Sequence, residues 1–205
     1  MISQERRDLA DLLDGFTDEQ WNTPSLCAGW RVREVVAHLA MPFSLSLPRM
    51  MLKMAATGFD FNRLSSTWAI NEQRPNAELV GVLRANAENR FTPPGFGAEA
   101  PLTDVVTHGQ DIRRPLGLPT AVAPAHAIVA LDLLVSKKAT RAFVKKGLLD
   151  GLAVAATDAD WSHGSGAEIR GTSAALITAI AGRRVDIDEL SGDGVSLLRT
   201  RTGVS

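Results

Sequence analysis

The run VVAHLAM, residues 35–41, decides how the first half of this chain folds. It is apolar at every position except His38, so a helix built from it is apolar on all sides. A helix of that kind is buried among other helices, whereas a surface helix carries one polar face. We therefore expect a helix that begins near Val32 and is surrounded by other helices, with Pro42 and Pro48 kinking or interrupting it.

Further helices are predicted on both sides of this run. Apolar residues at intervals of three and four predict a helix over about residues 3–15. Two more helical segments are expected, one at about residues 62–71 and one for which Asn76 is the predicted N-cap. Pro101 suits the first turn of the last helix, which must end before Pro115 because the residue preceding a proline avoids helical angles. Helices joined by short turns in this way predict a four-helix bundle.

The pattern changes after Pro119, where strands begin to mix with helices. The predicted elements are a helix over about residues 124–137, a strand through Leu152, Val154 and Ala156, a short strand at 168–170 and an apolar helix at 172–181. We therefore place a domain boundary near residue 120. The predicted fold class is α+β, with the four-helix bundle in residues 1–120 and a smaller α+β domain in residues 121–205.

Composition excludes several classes of protein. The 205 residues are 45% hydrophobic and 22% charged, which is typical of a folded domain. A net charge of −1 gives no reason to expect nucleic acid or an anionic membrane as a partner, so a small ligand is the better expectation. Cys27 is the only cysteine, which fits a reducing cytoplasm, and its apolar neighbours favour a buried, inert thiol. No apolar run is long enough to span a bilayer.

The segment DVVTHGQDIRRPLG, residues 104–117, carries the strongest chemical pattern. Asp104 and His108 are four residues apart and so lie above one another on one face of a helix. Asp111 extends the same stripe along the edge of the apolar arc. A carboxylate and an imidazole one turn apart can hold a divalent cation.

A third ligand would have to come from a facing helix, and His38 is the candidate because it stands alone in an apolar helix. Spacing alone leaves open the interpretation that these residues bind no metal. His38 would then be a neutral core histidine, and Asp104 and His108 would be a pair on the helix surface. Arg113 and Arg114 are candidates to bind an anion near the pocket, although basic residues are also expected at a helix C-terminus. We leave His126 and His163 out of the metal site, because His126 is expected in a surface helix and His163 in a glycine-rich turn.

Three segments resemble the mycothiol-dependent maleylpyruvate isomerase family: PSLCAGWRVREVVAHLA (24–40), LTDVVTHGQDIRRPLGLP (102–119) and AVAATDADWSHGSGAEIRGTSAALITAIAGR (153–183). The first domain of that family is a DinB-like helical bundle that binds a divalent metal. Its second is an α+β domain similar to sterol carrier proteins. The resemblance implies His38, Asp104 and His108 as metal ligands, with Asp104 in the position where the family usually has a glutamate.

The resemblance also implies the chemistry. Zinc is the expected metal and nickel the alternative, with mycothiol or another low-molecular-weight thiol as cofactor. A metal-bound thiolate could add to an electrophilic small molecule, which gives isomerisation if the thiol leaves again and thiol transfer if it stays. The resemblance identifies no catalytic residues, and it does not decide between a monomer and a homodimer. Two other functions stay open: a non-catalytic metal or small-ligand binding module, and a carrier that holds an apolar ligand in the C-terminal domain.

Overall fold

The computed structural model describes residues 1–141, 144–183 and 185–203. The chain forms two compact units. The first consists of Met1–Phe91 with Pro115–Gly117, and the second of Thr92–Arg114 with Leu118–Ser205.

The first unit is helical. Its helices are α1 (Ile2–Asp14), α2 (Asp18–Asn22), α3 (Val32–Ser44), α4 (Leu47–Ala56), α5 (Phe61–Asn71) and α6 (Asn76–Ala85). Helix α3 packs against α5 and α6, while α1 packs against α6 and α4 against α5. The predicted helices over residues 3–15 and 62–71 are therefore present, whereas α2 and α4 are additional.

Helix α3 is buried along most of its length, as its composition predicts. Val32, Val35 and Ala37 have no exposed surface. Pro42 does not interrupt the helix, which continues to Ser44, and Pro48 lies in the first turn of α4. A proline in the first turn leaves no helical hydrogen bond unmade, so Pro48 starts a new helix.

Helix α6 begins at Asn76, one residue earlier than it would if Asn76 were its N-cap. Pro75 occupies the N-cap position and Asn76 is the first helical residue, so the prediction that Asn76 is the cap is wrong. The Asn76 side-chain oxygen instead accepts a hydrogen bond from the Arg33 guanidinium. Arg33 also donates to the backbone carbonyl of Arg74 at 2.7 Å, and so joins α3 to the loop before α6.

Among its described residues, the second unit combines four helices with a three-stranded sheet. Its elements are α7 (Glu99–Arg113), α8 (Pro124–Leu134), β1 (Leu152–Ala156), β2 (Ser162–Gly164), β3 (Ala167–Gly171), α9 (Ser173–Ile180) and α10 (Val195–Thr202), with short 3₁₀ turns at Ala139–Arg141 and Val185–Glu189. Strand β1 is central, antiparallel to β2 and parallel to β3. Val154 is paired with His163 on one side and with Ile169 on the other.

Helix α9 is the core of the second unit, because all eight of its residues are buried. The Thr172 side chain caps its start, and Asp158 accepts hydrogen bonds from the Ser173 N–H and hydroxyl, each at 2.7 Å. Helices α7 and α8 both pack against α9.

The predicted α+β class, with a helical N-terminal part, is confirmed. Because α7 packs on α8 and α9, it groups with the second unit, although the predicted boundary near residue 120 assigns it to the first domain. That residues 1–120 form a domain by themselves stays a prediction. Within the described ranges, no helix combines the length and the apolar character needed to cross a membrane.

Candidate functional site

Helix α7 places three chemically active side chains in line. Asp104, His108 and Asp111 are one turn apart and all belong to the second unit. The carboxylate of Asp104 lies 3.5 Å from the His108 Nε2 atom. His108 is only 9% exposed and Asp111 is fully buried, whereas the Asp104 side chain is one-third exposed, at 34%. The cluster therefore runs from a partly exposed carboxylate to a fully buried one.

The second nitrogen of His108 is held by Asp111. Nδ1 lies 2.8 Å from the Asp111 Oδ2 atom, within hydrogen-bond distance. Both ring nitrogens thus face a carboxylate of the same helix, at i−4 and i+3. The hydrogen bond to Asp111 holds the orientation of the imidazole ring.

Arg183 anchors Asp111. Its Nε donates to Asp111 Oδ1 at 2.8 Å and its Nη2 to Oδ2 at 2.7 Å, which is the two-point geometry in which guanidinium binds a carboxylate best. Arg183 also donates from Nη1 to the carbonyl of Ala181 at 2.7 Å. It follows Gly182, whose φ of +83° turns the chain just after α9. Sequence reasoning did not identify Arg183 as a site residue.

Asp111 is ionised in this setting. Burial by itself raises the pKa of a carboxyl group, but the hydrogen bonds from Arg183 and His108 and the positive charge of Arg183 outweigh burial and hold the pKa of Asp111 well below its usual range. An ionised carboxylate can only accept hydrogen bonds. The proton between the two residues therefore belongs to His108 Nδ1.

This protonation pattern decides what His108 can do. In a neutral imidazole with its proton on Nδ1, the Nε2 atom carries the lone pair and presents it on the side of Asp104. Histidines that bind metals usually donate their other N–H to a carboxylate or a carbonyl, which fixes the tautomer and makes the ligating nitrogen more basic. Asp111 and His108 have this arrangement.

The two arginines at the end of α7 are engaged within the second unit. Arg114 donates to the Glu189 carboxylate at 2.9 Å. The Arg113 guanidinium lies across Gly109, where a Cβ atom would come within 2.7 Å of its Nη1. A glycine at 109 thus leaves room for the arginine to lie along the helix. Their predicted role in binding an anion stays a prediction.

His38 belongs to the first unit, on α3, and is 8% exposed. Its ring centroid is 5.4 Å from that of Trp30 and 6.5 Å from that of Phe61, so two aromatic rings flank it. His38 lies in one unit while Asp104 and His108 lie in the other. Its assignment as the third ligand stays a prediction.

The remaining candidates have other surroundings. His126 is half-buried on α8, and His163 is exposed on β2, where it stacks on Trp161 at a centroid distance of 6.4 Å. Cys27 is half-buried, so the expectation that it is buried was wrong. It lies in the loop between α2 and α3, where its N–H donates to the Ser25 hydroxyl at 3.1 Å.

In fold, the chain is an α+β protein with a helical N-terminal part. Its candidate site is a row of two carboxylates with a histidine between them on α7, and the histidine is hydrogen-bonded in the way that metal-binding histidines usually are. The family described as "Mycothiol maleylpyruvate isomerase N-terminal domain" matches residues 2–90. This N-terminal part of the chain is therefore similar to that family, which confirms the resemblance noted in the sequence.

Two solved structures are similar to the chain. One is a crystal structure of a mutant of the mycothiol-dependent maleylpyruvate isomerase, with 16% identity, a TM-score of 0.49, and coverage of 94% of this chain and 93% of that one. The other is a crystal structure of the mycothiol-dependent maleylpyruvate isomerase, with 17% identity, a TM-score of 0.42 and the same coverage of 94% and 93%. No curated protein matches the chain significantly.

Proposed function

We propose that this chain is a divalent-metal enzyme that uses a low-molecular-weight thiol, mycothiol in the first instance, to act on a small electrophilic molecule by isomerisation or thiol transfer. The observation that carries the proposal is the orientation of His108 by Asp111 and Arg183, which presents Nε2 on the side of Asp104. The family match of residues 2–90 supports this reaction class.

The proposed ligands are His38, Asp104 and His108. Two imidazole nitrogens and one carboxylate oxygen suit zinc, and nickel is the second choice. The fit of the donor set rests on His108, because its Nδ1 hydrogen bond to a buried carboxylate is the support that a ligating histidine needs. Asp104 is one methylene shorter than the glutamate usual in the family, so its carboxylate stays closer to the α7 backbone.

A bound divalent metal supplies positive charge that lowers the pKa of a coordinated thiol, which keeps the thiol as thiolate at neutral pH. The residues of this chain provide the support for that charge. Asp111 holds the His108 ring and keeps its Nδ1 protonated. Arg183 balances the charge of Asp111, so that the buried carboxylate stays ionised without taking the proton.

The first test is metal content. We expect about one divalent metal per purified chain, or uptake of one zinc ion by the chelated protein. Calorimetric titration with mycothiol should then show binding to the metal-loaded protein and none after chelation, because the metal stabilises the thiolate. Absence of metal together with failure to take up zinc would overturn the proposal, as would equal thiol binding with and without metal.

A non-catalytic binding module is the second candidate, since the shorter Asp104 could support metal binding without turnover. It predicts one metal per chain with no thiol-dependent conversion of electrophilic substrates. Assays of the metal-loaded protein with mycothiol and maleylpyruvate separate the two candidates.

A further inference from the structure

Helix α4 differs from the other long helices of the first unit in its burial. On α1, α3, α5 and α6 several side chains are buried, whereas none of the α4 side chains that the structure describes is buried. Five of the seven large apolar side chains that are exposed in the described part of the chain lie between residues 51 and 70. Exposed apolar surface that is concentrated in this way marks an interaction site.

The exposed apolar residues of α4 lie on one face of the helix and form what we call the α4 stripe: Pro48, Met51, Leu52 and Ala55. Spacings of three and four residues are those of a helix–helix contact. Leu52, in the middle of the stripe, is 73% exposed and Met51 is 53% exposed. The other side of the helix is turned to α5, where the Lys53 ammonium lies over the Trp68 ring. The α4 stripe therefore faces away from α5.

The turn after α4 adds an aromatic ring to this surface. Phe59 is 66% exposed, and its φ is +62°. A bulky residue rarely adopts this left-handed conformation, because its side chain crowds the backbone, and such strain is often found where a residue has a function. The turn thus holds an aromatic side chain in solvent, at the C-terminal end of α4, in a strained conformation. Contact with a partner would bury this ring.

Opposite charges lie at the two ends of α4. Arg49 is in its first turn and Asp60 follows its last turn, and both side chains are exposed. Among the residues that the structure describes, neither has an ion-pair partner. Two such helices packed antiparallel bring Arg49 of each copy towards Asp60 and the negative helix end of the other, whereas parallel packing brings like charges together. The α4 stripe is therefore complementary to itself in the antiparallel orientation.

We propose that the α4 stripe binds a second copy of this chain, so that α4 packs antiparallel on its counterpart about a two-fold axis near Leu52. A two-fold contact uses the same patch on both copies. Met51, Leu52 and Phe59 each offer on the order of 100 Å², and with their neighbours two copies bury on the order of 1,000 Å² in total. This is the lower end of the range for specific complexes, so the dimer is weak, with a Kd in the micromolar range. The inference does not depend on the metal or on the proposed reaction.

Sedimentation equilibrium of the full chain over roughly 5–500 μM tests the dimer, and we expect a reversible monomer–dimer equilibrium within this range. Leu52→Glu places two carboxylates at the axis and should raise the Kd at least about tenfold. Its thermal midpoint should stay at the wild-type value, because Leu52 is mostly exposed. Ile70→Glu is the matched control, since Ile70 is 56% exposed on α5 and outside the stripe, and it should dimerise like wild type.

Two further variants test the antiparallel orientation. Arg49→Asp places an acidic group opposite Asp60 of the other copy and should weaken the dimer about tenfold at low salt. Asp60→Asn should restore part of this loss in the double variant, because asparagine keeps the N-cap of α5 but carries no charge. The proposal is overturned if the chain stays monomeric at 500 μM, if Leu52→Glu dimerises as tightly as wild type, or if Ile70→Glu weakens the dimer equally. An Arg49→Asp variant that dimerises like wild type, or a double variant that recovers nothing, would also overturn it.

Discussion

The two ring nitrogens of His108 have different partners: Nδ1 is hydrogen-bonded to Asp111, whereas Nε2 lies 3.5 Å from the Asp104 carboxylate and is the candidate metal ligand. If Nε2 is a metal ligand, His108→Ala removes one of three protein donors, and metal affinity should fall by orders of magnitude. The fold should persist, because Val105 and Ile112 keep their buried positions on α7. Metal content and thermal midpoint measured on the same sample check this expectation.

The matched control is His126→Ala, which removes a half-buried histidine on α8 and should leave metal content unchanged. If His108 is instead an ordinary core residue, its loss should lower stability by roughly 1–3 kcal/mol while any metal stays bound. Retained metal with a lowered midpoint would contradict the assignment of the site.

Arg183 should matter for both stability and metal binding, although it is not a proposed ligand. Arg183→Leu leaves the fully buried Asp111 carboxylate with His108 alone, and removal of one partner of a buried ion pair costs about 3–5 kcal/mol. We expect the low end, because the Arg183 side chain is 19% exposed. Metal affinity should also fall about tenfold, as for other groups that support a ligating histidine. Urea unfolding and zinc titration measure the two effects.

Arg170→Leu serves as the comparison for Arg183→Leu. Arg170 pairs with Glu168 at 2.9 Å on β3, but both side chains are half exposed, at 50% each. Such a surface pair contributes less than about 1 kcal/mol. Equal destabilisation by the two substitutions would show that the Asp111–Arg183 pair has no special role.

The sequence predicted the α7 residues of the site but not their support. Spacing along one helix places Asp104, His108 and Asp111 on one stripe, and this follows from helix geometry alone. Arg183 is 72 positions from Asp111. Its approach depends on how α9 packs against α7 and on the turn at Gly182, and neither is encoded in a local pattern.

At the scale of elements, the same reasoning explains which helices and strands were predicted. Helix α3 and strand β1 were found because their apolar residues follow a clear pattern. Strand β2 was missed since its three residues are all exposed, and α2 was missed because it has only five residues. Helices α4 and α10 were missed as well. Pairing with β1, which no local pattern records, is what makes β2 a strand.

The start of α3 allows a test of pH dependence. The Glu34 carboxylate accepts from the Arg31 backbone N–H at 2.8 Å and pairs with the Arg31 guanidinium at 2.5 Å. Burial raises the pKa of Glu34, but its hydrogen bonds with Arg31 prevail and the pKa lies below the usual 4.5. The folded protein therefore binds this proton less readily than the unfolded chain. The stability from Glu34 is present above about pH 4.5 and is lost as the pH falls further.

We expect Glu34→Gln to be less stable than wild type at pH 7, and the difference to shrink as the pH falls below about 4.5. Urea midpoints measured across this range check the direction. Glu19→Gln, which changes an exposed glutamate on α2, should follow the wild-type curve. A difference between Glu34→Gln and wild type that grows on acidification would contradict the role given to the Arg31–Glu34 pair.

At the scale of the whole molecule, metal binding should raise the free energy of unfolding and the Tm. A ligand that binds only the folded state at 100 times its Kd adds about 2.7 kcal/mol, which for a chain of this size corresponds to a rise of roughly 5–10 °C in Tm. We expect zinc to raise the Tm of the chelated wild type by this amount, and His38→Ala and His108→Ala to lose most of the rise. A scanning calorimeter measures it, and an undiminished rise in His38→Ala would remove His38 from the ligand set.

The support of His108 also determines how the site could be transplanted. A designer who copied only residues 104–111 onto a foreign helix would transfer the histidine and both carboxylates but leave Arg183 behind. Asp111 would then be either a solvated acid that no longer restrains the ring or a buried charge that destabilises the host. The smallest portable piece is therefore discontinuous: α7 together with the end of α9 and the turn through Gly182 and Arg183.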